Sequence, residues 1–236
     1  MLGVIVNTVA IIIGGLIGLL VKKGVPERFS TAIMTGIGLC VVLIGISGAL
    51  QGENAIIMVM SIVFGVVTGT VLKIDDHLNS LGKKLENRFS PKEENSEKTH
   101  VPIAQGFVTG SLLFCIGAMA IVGSINSGLT GDHTMIYTKS MIDFISAAMI
   151  AVTLGAGVIF SAFSVLIYQG TLVLLAQLLR PLLDNQSMIA EMNCAGSIII
   201  LALGLNLIGI TKIKVANFLP AIIFAPLITA LIHWIM

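Results

Sequence analysis

Charge is scarce in this chain of 236 residues: Asp, Glu, Lys and Arg make up 11% and sum to a net charge of +1. No basic or acidic excess is on hand to hold nucleic acid, so none is expected as a partner. Cysteine is scarce too. Cys40, Cys115 and Cys194 each lie in an apolar run without CxxC or metal-type spacing, which excludes a disulfide framework and leaves buried reduced thiols. Four histidines (His77, His100, His133, His233) are scattered over different segments, with no HExxH and no zinc spacing. Gly82-Lys83 lacks the earlier glycine and the following Ser or Thr of a phosphate-binding loop, so no ATP motor is expected on this chain. GxSxG is absent as well. Neither an enzyme, a metal site nor a cofactor is expected.

What is abundant is hydrocarbon. Hydrophobic residues make up 56% of the chain and the mean hydropathy is +1.03. A soluble domain of this size cannot hide so much apolar surface, whereas a bilayer takes it as solvent. The expected fold is an all-α bundle of transmembrane helices, one integral membrane domain over 1–236 with a polar loop at about 73–102. The opening MLGVIVNTVAIIIGGLIGLLVKK has its lysines after the apolar stretch rather than before it. That order suits a retained first span better than a secretory signal.

A crossing takes about 20 apolar residues at ~1.5 Å each. The candidate spans are 3–21, 31–50, 55–72, 104–125, 136–154, 160–179, 190–210 and 215–235. Taken as one helix, 136–179 would run ~66 Å, about twice the hydrocarbon thickness. Two helices with a turn near Gly155-Ala156-Gly157 fit better, though a re-entrant piece there would give seven spans. Lys22, Lys23 and Arg28 crowd the first loop, and Lys73, Lys83, Lys84, Arg88, Lys92 and Lys98 the longest polar segment, while QGEN at 51–54 has no base. The bias places those two basic loops in the cytoplasm and the N-terminus outside. With eight spans Lys212 and Lys214 also fall inside. SPKEENSEKTH, 90–100, reads as a solvated linker.

An internal echo joins GIGLCVVLIGI (36–46) to ILALGLNLIGI (200–210), each followed by a short polar turn and another apolar helix. Spans 1–3 and 6–8 would then form an inverted repeat, the arrangement of many secondary transporters. Low-complexity apolar helices also match each other by chance. Gly14xxxGly18, Gly65xxxGly69 and Gly106xxxGly110 predict tight helix contact within a bundle or in a homodimer.

Polar side chains inside a span are costly and mark candidate sites. In GDHTMIYTKSMIDF (131–144), a helix capped by Asp132 would put Lys139 and Asp143 one turn apart on one face. A span starting instead at Phe144 would leave the whole cluster in water. Tyr168 and Gln169 sit mid-span beside Gly170, where a structural contact between helices competes with a ligand role. Asn7, Thr8, Glu191, Asn193 and Asn206 carry the same ambiguity. The last span holds Asn217, Pro220 and Pro226, and prolines favour a kink or break that frees carbonyls. The expected ion- or solute-binding set is Asp143, Lys139, Tyr168, Gln169, Asn206 and Asn217. Asp143 would take an ion or proton, with Lys139 its partner when empty, and the two asparagines would face a cavity near the helix break.

The segments GVIVNTVAIIIGGLIGLL, VPERF, FCIGAMAIVGSINSGLTGD, YTKSMIDF, VLIYQG and LGLNLIGITKIKVANFLPAIIFAPL together resemble the bacterial domain-of-unknown-function 554 family. The resemblance covers essentially the whole chain outside 90–100. It implies a polytopic inner-membrane protein and supplies neither a substrate nor catalytic residues. The function expected is therefore a small-solute or ion transporter or channel without its own ATPase, in contact with membrane lipid. The alternative is a non-transporting scaffold or assembly factor whose working parts are the GxxxG patterns and the 73–100 loop.

Overall fold

The computed structural model describes residues 1–22, 27–89, 103–183 and 185–235. The linker-like segment 90–100 and Pro26 of the first loop lie outside the described residues. Those described form eleven α-helices and one 3-10 turn, with no strand among them. They are α1 (Leu2–Lys22), α2 (Glu27–Ala49), α3 (Ala55–Val71), α4 (Ile74–Phe89), α5 (Ile103–Cys115), α6 (Ala118–Thr130), α7 (Thr134–Leu154), α8 (Gly157–Leu174), α9 (Ala176–Leu183), α10 (Gln186–Ile208) and α11 (Ala221–Ile235), with the 3-10 turn at Val215–Phe218 before α11.

Five of these helices are long and apolar enough to cross a bilayer alone, the 3-10 turn and α11 together make a sixth span at Val215–Ile232, and the bent pairs α3–α4 and α5–α6 bring the number to eight if each is one span. Packing directions agree with eight alternating crossings. A methyl on Gly14 would meet the Phe144 carbonyl and one on Gly18 the Ala148 carbonyl, so α1 and α7 run the same way. Gly38 and Gly45 of α2 meet Ile208 and Leu201 of α10, so that pair runs opposite ways. Gly65 and Gly69 of α3 meet Ala221 and Asn217, again opposite. Gly106 and Gly110 of α5 meet Gly157 and Ser161, in the same direction as α8. With α2, α3 and one further crossing between them, α1 and α7 come out parallel only if α5 and α6 together cross once. All three GxxxG pairs are thereby used within the chain.

The long apolar block divides where its length required. Gly155 has φ +75°, a left-handed conformation that side chains disfavour, and it separates α7 from α8. The fourth crossing departs from the uninterrupted 104–125 helix: it breaks at Ile116-Gly117 and bends by 59°. Gly117, at φ +131°, supplies the break. The expected polar loop begins as a helix, because α4 turns 57° away from α3 at Lys73. In the last crossing the interruption lies at the 3-10 turn and Pro220, and α11 continues through Pro226.

The main core gathers Ile11, Val41, Phe114, Ile150, Val158 and Ile199 from six different helices. The outward faces carry exposed apolar side chains, such as Leu20 of α1 and Ile56 and Val67 of α3. The end of the bundle where α1 begins is called the head here, and the end where it finishes the tail.

Candidate functional site

The site starts at the head of α7. Its first helical residue is Thr134, two positions after Asp132, with His133 in the cap position. Asp132 Oδ1 accepts from Thr134 N at 2.9 Å and Thr134 Oγ1 at 2.6 Å, so it still ties down the helix start without being the cap itself. Those bonds, the side-chain one foremost, hold its exposed carboxyl below the usual carboxylate range. From Thr134, Asp143 lies ~13 Å along the helix, far beyond a wet rim. Lys139 and Asp143 are 6% and 5% exposed and form an ion pair one turn apart. Nothing in α7 alone could hold them there.

α1 supplies the third member. Because its glycine face lets its backbone lie on α7, Asn7 reaches Asp143. Asn7 Nδ2 donates to Asp143 Oδ2 at 3.0 Å and to Gln169 Oε1 of α8 at 3.1 Å. Three helices thus meet at the Asn7 amide. Asn7 and Gln169 are fully buried, and Asn7 Oδ1 and Gln169 Nε2 have no hydrogen-bond partner. An unmade bond of this kind costs roughly 1–3 kcal/mol, which a cluster serving packing alone has no reason to carry.

On its other side the ion pair borders a cavity of about 790 Å³ between α2, α7, α10 and the α5–α6 break. The cavity follows α2 from Ile33 to Gln51, about 25 Å along the bundle. Its walls are mainly Ile, Leu, Val and Met, with Ser47, Gln51, Asn193 and Ser197 toward the head and Ser146 beyond Asp143 on the tail side. Lys139 Nζ makes one hydrogen bond, to Asp143 Oδ2, and an ammonium has three donors. Asp143 Oδ1 also has acceptor capacity to spare, since Asn7 and Lys139 both bind Oδ2.

The other expected site residues lie elsewhere. Tyr168 is half-buried against the Ile121, Ile125 and Ala176 cluster, one position from Gln169 but on another face. Asn206 is at the tail: its Nδ2 donates to Ile213 O at 2.7 Å, and its Oδ1 accepts from Thr211 Oγ1 at 2.7 Å and Ile213 N at 2.9 Å. Asn217 is there too, its Oδ1 accepting from Asp75 N at 2.9 Å. Asn206 lines a separate tail cavity of about 320 Å³ with Asp75, Asn79 and Lys83. In the sequence Asn7 is one of several ambiguous polar residues, and nothing marks Gly117 among its apolar neighbours. Asn7 sits 136 positions from Asp143 and becomes a neighbour only through tertiary packing.

A family profile described as "Protein of unknown function (DUF554)" matches residues 2–230. This chain belongs to the DUF554 family. The DUF554 chain is similar to the uncharacterized membrane protein YdfK of Bacillus subtilis, at 33% identity over 99% of this chain and 97% of the relative. It is also similar to the uncharacterized protein YqgA of Escherichia coli, at 32% identity over 99% of this chain and 98% of the relative. No solved structure matches it significantly. The family and its membrane relative make this a membrane protein.

Proposed function

We propose that this DUF554 protein is a secondary carrier or channel for a small solute or ion in the bacterial inner membrane, working without ATP. The observation that carries the proposal is a buried Lys139–Asp143 pair with spare hydrogen-bonding capacity on the wall of a cavity. Burying two charges costs several kcal/mol each before pairing, and intramembrane charges cluster on ion and solute paths. Asp143 would exchange its Lys139 partner for the transported ion or a proton.

Two further features support this reading. α1 and α8 run opposite ways, since Asn7 meets Gln169 and Gly15 meets Ile159. The pairs α1/α8, α2/α10 and α3/α11 are therefore all antiparallel, as an inverted repeat of spans 1–3 and 6–8 would require. The bases also segregate: Lys22, Arg28, Lys73, Lys83, Lys84, Lys212 and Lys214 gather at the tail, whereas the head has Arg180. That bias supports a cytoplasmic tail and loop 73–102 with the N-terminus outside. A scaffold role draws less support, because the GxxxG glycines proposed as docking parts are occupied inside the chain.

Cys40 lines the cavity near the middle of α2 and offers a native probe. In a variant with Cys115→Ala and Cys194→Ala, a charged, membrane-impermeant thiol reagent added outside intact cells should label Cys40. A cysteine at lipid-facing position 145 should stay unlabelled. If the two positions react alike, the cavity holds no water and the carrier reading is lost.

A further inference from the structure

The cavity wall offers one charged side chain of each sign, and a helix end of each sign borders the same cavity. Lys139 provides an ammonium and Asp143 a carboxylate, both more than nine-tenths buried and both lining the cavity. The broken fourth crossing repeats that pattern with backbone. Leu113, Phe114 and Ile116 bring the C-terminal end of α5 to the cavity, and Gly117, Met119 and Ala120 bring the N-terminal end of α6. A helix end leaves its last carbonyls or first N–H groups without partners inside the helix, equivalent to about half a charge, negative at the C-terminus and positive at the N-terminus. Gly117 occupies the cap position of α6 and brings no side chain to cover those N–H groups. Each pole of the break thus has a side chain of like sign across the same cavity.

From this pairing we infer that the transported solute is a zwitterion with an apolar body, of the kind an apolar α-amino acid represents. The inference rests on the carrier reading above and names the substrate class of that same site. The solute's carboxylate lies between Lys139 and the start of α6, and its ammonium between Asp143 and the carbonyls ending α5. Inserting a zwitterion opens the Lys139–Asp143 pair without changing the net charge of the site, and every charge keeps a partner. A simple anion would leave Asp143 and the α5 carbonyls unmatched; a simple cation would strand Lys139 and the α6 N–H groups. An unmatched buried charge is the expensive outcome. The Ile, Leu, Val and Met lining then takes the rest of the molecule.

Calorimetric titration of the purified full-length protein in detergent tests this with four probes. L-Leucine and L-phenylalanine carry both charges, 4-methylpentanoate lacks the amine of leucine, and 3-methylbutylamine lacks its carboxylate. At least one amino acid should bind ~10-fold or more tightly than either single-charge analogue, since a site built around a polar group rejects a ligand lacking it. Binding by neither amino acid, or equal binding of the acid or the amine, overturns the zwitterion. Lys139→Gln and Asp143→Asn should each abolish the heat of binding. Should those variants fail to fold, Ser146→Phe, which fills the cavity from its wall, should also remove binding; retained affinity counts against the site. Cys40 labelling reads water access whatever the solute, so a failed titration with Cys40 labelled rejects the substrate class and leaves the carrier.

Discussion

The protein has two buried polar clusters, and they solve the same problem in different ways. At the tail, Asn206 and Asn217 spend their side chains mostly on backbone: Asn206 closes the 211–213 turn, with the Thr211 hydroxyl as a side-chain donor, and Asn217 holds the start of α4 through Asp75 N. Asp75 Oδ1 in turn accepts from Ala216 N at 3.3 Å. Those bonds fasten the non-helical stretch before α11 to itself and to α4. In the α7 cluster, side chains meet side chains from three helices, two buried polar atoms go without partners, and the two charges border a cavity. A buried polar residue bonded to backbone stabilises a turn. One with capacity left over beside a cavity is a candidate to bind something.

Removing one charge is the strongest way to break this comparison. Lys139→Ala leaves Asp143 buried with only Asn7 for company, and roughly 3–5 kcal/mol of stability should go with it, read as a large loss of thermal stability in detergent. The sharper variant is the double change Lys139→Met with Asp143→Leu. Replacing a buried pair by apolar groups of similar size is commonly neutral or stabilising, so the double variant should melt near the wild type. It should nevertheless bind no zwitterion and show no flux. If it transports, the pair is structural.

Asn217→Ala gives the converse at the tail. The α4 N–H it accepts from loses its partner, which should cost about 1–3 kcal/mol, while the calorimetric titration of the cavity stays as in the wild type. Glu191→Gln belongs between the two clusters. Glu191 Oε1 accepts from Glu53 N at 2.8 Å and Asn54 N at 2.7 Å and so pins the α2–α3 turn, as a tail asparagine would. Its Oε2 is buried without a partner, as in the α7 cluster. The amide keeps the Oε1 bonds and places an NH₂ where Oε2 was. Melting within about 1 kcal/mol of the wild type is expected, and a larger loss would mean that Glu191 needs its charge.

The sequence displays the tail fastenings and the α7 cluster unequally. The apolar spans and the α7–α8 division follow from span length and from one glycine run, whereas the eleven helices do not. Lys139 and Asp143 are legible as a pair because a helix turn is a local rule. Asn7 is not legible, since its partner lies on another helix and only the glycine face of α1 brings the two together. Gly117 is hidden for a different reason: apolar residues continue on both sides of it, and hydropathy does not report a break that costs no polar residue. Asn206 and Asn217 look like Asn7 in sequence, and their bonds to nearby turn backbone, against bonds to side chains of other helices, separate them. α4 was obscured by composition, although Ile74, Leu78, Leu81 and Leu85 keep helical spacing through the charged stretch.

The smallest effect is expected from the exposed pair at the tail. Lys214 Nζ donates to Asp76 Oδ1 at 2.8 Å, joining the loop before α11 to α4. The hydrogen bond from Lys214, then its charge, holds the Asp76 carboxyl below its ordinary 3.8, and the same bond raises Lys214 above its ordinary 10.5. For Asp76 the folded value is the lower one, so its contribution is complete above 3.8 and is lost as pH falls through the folded value. For Lys214 the folded value is the higher one, so its contribution is complete below 10.5 and is lost as pH rises through it. Melting temperature should accordingly be flat across neutral pH, with Lys214→Gln close to the wild type throughout because water screens an exposed pair. The comparison of the two clusters would need revision if this variant melted as low as Lys139→Ala, since an exposed tail contact would then carry what has been assigned to a buried charge.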